Sequence, residues 1–150
     1  MRERLISCLL PLTAVGAARL AIALIGIGAA GCGTPTAPAG AAALTAPTVF
    51  SQWWSEVEQC SGLRGDVDRV SWYVVPCVDG ESGFKCDVTQ EGLCAGEWRS
   101  PHTISLGGPN RFFLDGYMDD EWTVKHEMLH DLLGRADHPV QFADCHLLLR

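Results

Sequence analysis

Asp119-Asp120-Glu121-Trp122-Thr123-Val124-Lys125-His126-Glu127-Met128-Leu129-His130-Asp131-Leu132-Leu133-Gly134 is the stretch on which the fold turns. The three leading acids offer an N-cap and first-turn carboxylates, which suit the positive end of a helix, and Gly134 offers a left-handed stop. At roughly 100° per residue, Trp122, Val124, Met128, Leu129, Leu132 and Leu133 fall in one broad arc, with His126, Glu127 and His130 in the remainder. The spacing therefore predicts a helix that runs from these acids to about Leu133, with one side on a core and the other on a cleft. Lys125 falls within the apolar arc and is expected to snorkel. His126 and His130, four residues apart, lie one turn above each other, so both imidazoles can reach one ion. A chain of this composition contains such an HExxH arrangement by chance only about 0.01 times.

Working outward, Val49, Phe50, Trp53, Trp54, Val57 and Cys60 recur at helical spacing, and Gly62 follows to end the segment. This predicts a packing helix, its tryptophans in the core rather than in a ligand platform. Residues 69–75 are β-branched and aromatic and stop at Pro76, as a strand does. Residues 77–99 lose all period; their glycines and three cysteines predict a loop-rich, disulfide-pinned stretch. Residues 102–106 alternate up to Gly107-Gly108-Pro109 and predict a second strand, with a short third expected over 111–114. The segment after His138, with Pro139, Phe142, Cys145 and three leucines, suffices for a short packed helix or tail. The expected class is α+β: a short twisted sheet, an N-terminal packing helix, and the HEMLH helix beneath a site.

Residues 1–31 hold Glu3 as their lone acid against Arg2, Arg4 and Arg19, and otherwise are mostly small and apolar. The run over 20–31 is shorter than the about 20 apolar residues of a membrane span and suits a signal segment. Val15 is an alternative start that would leave a more compact signal, and an uncleaved N-terminal anchor is the competing reading; both place the body outside the cytoplasm. Ala29-Ala30-Gly31-Cys32 resembles the lipobox of bacterial lipoproteins, with Ala29 where that pattern usually has Leu. The resemblance implies cleavage before Cys32, lipidation of Cys32 and attachment to the membrane through it. Residues 32–48 carry no charge and read as a flexible tether, leaving 49–150 as the folded domain. Such cleavage leaves eight basic and seventeen acidic residues, a net charge of −9, which argues against a nucleic-acid partner. A small exported domain with several cysteines usually forms disulfides. The favoured pairs are Cys86 with Cys94 and Cys60 with Cys145, which leaves Cys77 over; sequence alone leaves the connectivity open.

His126-Glu127-Met128-Leu129-His130 resembles the active-site helix of the zincin metallopeptidases over residues 119–138. The resemblance implies a zincin-like domain with one zinc per chain, His126 and His130 as ligands and Glu127 as general base. A catalytic zinc needs a third protein ligand and an open fourth position. Metzincins place that ligand six residues after the second His and a Gly three after it. Here Ala136 occupies the ligand position and Gly134 comes one residue late, so the strict pattern is broken. The favoured third ligand is His138, which Pro139 biases toward an extended conformation. Asp137 is the alternative, as in the snapalysin-like proteases, and Asp144, His146 or an upstream residue such as Cys77 remain open. The whole run from His126 to Pro139 is also similar to a set of small bacterial lipoproteins, a similarity that names no substrate. In zincins an edge strand pairs with an extended peptide, a part expected here of residues 102–106. Tyr117 and Tyr73 are candidates for oxyanion stabilisation, each better explained by packing. The expected function is zinc-dependent hydrolysis of a peptide or protein substrate at the bacterial cell envelope. The alternatives are a zinc-binding or structural envelope lipoprotein without turnover, and an interaction module whose histidines bind nothing.

Overall fold

The computed structural model describes residues 37–86, 92–111 and 114–148. Residues 1–31, read above as a signal segment, and Cys32 lie outside them. No helix of the described residues is long and apolar enough to cross a membrane.

The architecture is mixed α+β, with three helices, a four-stranded mixed sheet and a two-stranded sheet. Two parallel strands form the centre: β2 (Ser71–Pro76) and β6 (Thr103–Gly108), with Trp72 opposite Ile104 and Val74 opposite Leu106. β1 (Ala42–Ala43) adds antiparallel to β2, and β5 (Gly96–Arg99) adds antiparallel to β6, giving the order β1-β2-β6-β5. β3 (Phe84–Lys85) and β4 (Leu93–Cys94) form the small second sheet.

Three expectations change. Residues 102–106 were expected to offer a free edge, but β6 is interior and its six residues are all buried. The edge strand next to β6 is β5, inside the stretch read as loop. Gly96-Glu97-Trp98-Arg99 lacks the apolar alternation that marks a strand because Glu97 and Trp98, on opposite faces, are both buried. Finally, β1 belongs to the segment read as tether: Ala42 pairs with Val74, and the Leu44 N–H donates to the Trp72 carbonyl at 2.9 Å. That pairing is made by backbone, so an uncharged alanine run gives no side-chain signal of it. Of the short strand expected over 111–114, Arg111 and Leu114 lie in bends and residues 112–113 fall outside the described residues.

α1 (Val49–Ser61) buries Phe50, Trp53, Trp54 and Val57, and Gly62 at φ 72° closes it by donating to the Glu58 carbonyl. α2 (Glu121–Leu133) starts at Asp120, whose carboxylate accepts the Thr123 N–H, and stops at Gly134 with φ 64°. α3 is the five-residue turn Val140–Asp144. The sheet and helices enclose one principal core in which Phe50, Ile104, Leu106, Val124, Met128, Leu129 and Phe142 are almost wholly buried. Each such side chain contributes roughly 1.5–3 kcal/mol of transfer free energy. Lys125 does more than snorkel. Its ammonium, largely covered, is paired with Glu121 one turn back and with Glu56 of α1, tying the two helices at the polar margin of the core. Disulfides join Cys60 to Cys145 and Cys86 to Cys94; Cys77 is a buried free thiol.

Candidate metal centre

α2 presents His126 and His130 on one face, and the left-handed turn at Gly134 sends the chain back so that His138 joins them. The Nε2 atoms of His126 and His130 are 3.2 Å apart, and those of His138 and His126 are 3.1 Å apart. Two nitrogens bound tetrahedrally at 2.0–2.1 Å would be separated by about 3.3 Å. The three rings therefore lie close enough to bind a metal ion. Phe142 floors the cluster, its ring centroid 4.6–4.9 Å from those of all three imidazoles.

The donor set fits a cation for a second reason. His126 Nδ1 faces the Leu147 carbonyl at 2.8 Å, and His130 Nδ1 faces the Arg135 carbonyl at 2.9 Å. A carbonyl only accepts, so both Nδ1 atoms carry the proton and both Nε2 atoms present lone pairs. Lone pairs 3.2 Å apart repel unless a positive centre lies between them. Burial also favours the neutral, ligating form of both rings. It pushes His126 down to about 4 despite its bond to Leu147, and it lowers His130, the neighbouring histidines adding to the effect.

Glu127, between the two histidines, is buried against β5. The Trp98 backbone N–H donates to its carboxylate, and Gly96 lies so close that a β-carbon there would sit 2.8 Å from Glu127 Cγ. Gly107 N–H to Ala95 O closes the β5–β6 ladder on its inner side, so the alternate residues Gly96 and Trp98 turn their backbone groups outward, toward α2 and the cleft. Burial raises the Glu127 carboxyl to about 8; the Trp98 N–H opposes this and the nearby Glu97 carboxylate adds to it. A carboxyl of that proton affinity suits a group that takes up and returns a proton near neutral pH.

Asp131 follows His130 on α2, and its side chain is wholly buried. It accepts from Trp98 Nε1 at 2.9 Å and from Arg69 Nη2 at 3.1 Å, and His102 Nδ1 lies 3.1 Å away. Trp98 thus serves the site three times: its indole N–H holds Asp131, its backbone N–H holds Glu127, and its ring stacks on His130 at 6.4 Å between centroids.

A cleft of about 460 Å³ opens over the cluster, walled by β4 and β5 on one side and by α2 with Ala136 and His138 on the other. Leu93, Ala95, Trp98 and Trp122 give it an apolar lining beside the Glu127 carboxyl and the three imidazoles. A hollow of similar size between β1, β2 and the start of α1 has only Asp68 and Tyr73 as titratable lining groups. The chemistry is all in the former.

Of the remaining sequence candidates, Asp137 is exposed and paired with Arg135, outside the cluster. Asp144 and His146 are exposed on the C-terminal segment, and Cys77 is buried beside Gly107. Burial pushes the Cys77 thiol up, away from the thiolate a metal requires. The Tyr117 hydroxyl donates to the Ser82 carbonyl at 2.7 Å, and Tyr73 lies on β2, so neither lines the cleft. The sequence reading missed Gly96, Trp98, Asp131 and Phe142. Only Phe142 carried a signal, as the lone aromatic after His138. In comparisons with family models, curated proteins and solved structures, nothing matched this chain.

Proposed function

We propose that this protein is a zincin-like zinc metallopeptidase in which His126, His130 and His138 hold one zinc ion and Glu127 is the general base. The observation that carries the reading is the convergence of three imidazole Nε2 atoms beside a buried glutamate on the cleft side of one helix. Imidazole donors in a triad that leaves one coordination position open favour zinc, which when bound supplies Lewis acidity. Glu127 accepts the proton of the attacking water and delivers it to the leaving amine. An extended peptide would lie along β5 and hydrogen-bond the outward backbone groups of Gly96, its side chains resting on the apolar lining around Leu93 and Trp122. The Trp98 N–H is already engaged by Glu127, so backbone pairing is confined to a short segment of substrate.

The two disulfides suit an oxidising compartment, and with the leader and Cys32 they support an exported, membrane-anchored lipoprotein of the cell envelope. The test is metal content and peptide hydrolysis by the chain produced without residues 1–31. One zinc per chain, lost in His138→Ala and retained in Asp137→Ala, with hydrolysis abolished in Glu127→Gln while zinc remains, is the expected pattern. Zinc retained without hydrolysis of any peptide in a broad library would leave a zinc-binding envelope protein without turnover. No zinc uptake at neutral pH would sink the reading altogether.

A further inference from the structure

The two histidines of α2 are oriented from different parts of the chain. His130 Nδ1–H donates to Arg135 O, a partner five residues on and local to the end of its own helix. His126 Nδ1–H donates to Leu147 O, a partner beyond α3. That carbonyl lies outside α2, on the segment that follows α3. Leu147 is buried, and its N–H donates to Phe142 O at 2.7 Å. His146, in the left-handed region at φ 57°, turns the chain between Cys145 and Leu147, and its carbonyl accepts from Trp122 Nε1. Two residues before Leu147, Cys145 is bonded to Cys60 at the end of α1. This bridge ties the segment that orients His126 covalently to the end of α1.

We infer that the Cys60–Cys145 disulfide is a positioning element of the metal centre: through Leu147 it fixes the tautomer and ring orientation of His126, and so sets the metal affinity of the site. Groups that orient ligands from behind typically change metal affinity by about 10–100-fold when lost. His130 has no such dependence, because its carbonyl partner belongs to the α2 cap. The inference rests on the three-histidine metal site and not on peptide hydrolysis.

The experiment reads the two ring protons separately. In the zinc-loaded chain, the Nδ1–H protons of His126 and His130 are followed by ¹H–¹⁵N spectroscopy, and zinc affinity is measured by chelator competition, in wild type and in the Cys60→Ser, Cys145→Ser double variant. The expected result is solvent exchange of the His126 proton at least about tenfold faster, an unchanged His130 proton, and zinc affinity about 10–100-fold weaker. If the double variant does not fold, the folded, zinc-loaded wild type is reduced with a water-soluble phosphine, and a Cys86→Ser, Cys94→Ser variant treated alongside isolates the effect of the Cys60–Cys145 bridge. Each reduced bridge yields two thiols and the phosphine oxide, with water supplying the oxygen and the protons, and the same two signals are read. Unchanged His126 exchange and unchanged affinity would overturn the inference. So would loss of both ring protons together with the fold, since the bridge would then hold the domain and not the ligand. A wild type that takes up no zinc defeats the metal site and this inference together, whereas failure to cleave peptides leaves both ring-proton signals and the affinity as they are.

Discussion

Replacing Gly96 with alanine would place a methyl carbon 2.8 Å from Glu127 Cγ, 2.9 Å from Glu127 Oε1 and 3.0 Å from Thr123 Cγ2. Comfortable carbon contacts begin near about 3.5 Å, so β5 and α2 must part by roughly half an ångström or more, or Glu127 must swing aside. Glu127 has little room to swing, being buried and held by the Trp98 N–H from the same strand. Moving β5 outward stretches that same bond. Overpacking of this kind costs about 1–3 kcal/mol, and for a domain near this size each kcal/mol lowers Tm by about 4–8 °C. A general base misplaced by about 1 Å costs about 100-fold in turnover. The nearest contacts of the new methyl fall on Glu127 and Thr123, so zinc content is expected to stay at one per chain while Tm falls by at least about 4 °C and kcat/KM falls about 100-fold. Thermal unfolding followed by circular dichroism, metal analysis and peptide hydrolysis on one preparation separate these effects. Wild-type Tm and wild-type turnover in Gly96→Ala would refute the close approach of β5 to Glu127. Loss of zinc in proportion to activity would place the damage at the histidines instead.

Phe142→Ala removes a fully buried ring that touches all three imidazoles; a loss of about 3–5 kcal/mol in denaturant unfolding is expected, together with weaker zinc binding, and Phe142→Leu should recover most of the stability. In the chelator-treated, metal-free protein, His126 is held near 4 against 6.5 unfolded, so below pH 6.5 the unfolded state binds the extra proton and folding stability declines as pH falls toward 4. The full drop from this ring is about 3 kcal/mol, His130 acts in the same direction, and a Tm that rises or stays flat between pH 6.5 and pH 4 would contradict it. Asp131→Ala leaves Trp98 Nε1 unpaired in the interior and strands Arg69 and His102, which can turn partly to water, so a loss near about 3 kcal/mol is expected by equilibrium unfolding, at the lower end for breaking a buried ionic cluster.

What could be read from the chain follows the reach of the signal in each segment. α1 and α2 are amphipathic over three turns with a glycine stop, and both lie where the periodicity places them. β2 and β6 are apolar enough to stand out, but their parallel pairing, and hence the interior place of residues 103–108, is a property of topology. The spacing of side chains says which face a strand offers, not which neighbour it takes. β5 was illegible for a physical reason: Glu97 is buried and paired with Arg99 two residues on, so the strand reads as charged although it lies inside. Lys125 misled in the same way. Its place in the apolar arc suggests only a snorkelling side chain; Glu121, one turn back, could be read as a partner, whereas Glu56, far away in the chain, could not.

The metal centre divides along the same line. His126 and His130 were legible because one helical turn brings them together, and His138 was legible as the first imidazole past a glycine turn. The groups that orient these rings and Glu127 were not, because they are mostly backbone. Carbonyls of Leu147 and Arg135 select the tautomers, an N–H of Trp98 holds Glu127, and the missing side chain of Gly96 lets β5 approach. Every residue has a carbonyl and every residue but proline an N–H, so no pattern of residue types announces which will be used. Asp137 illustrates the converse: it was the alternative ligand, but its neighbour Arg135 lies within reach and pairs with it, while His138 joins the other two histidines. That pairing takes the Asp137 carboxylate out of the cluster, so the third donor within reach of His126 and His130 is the imidazole of His138.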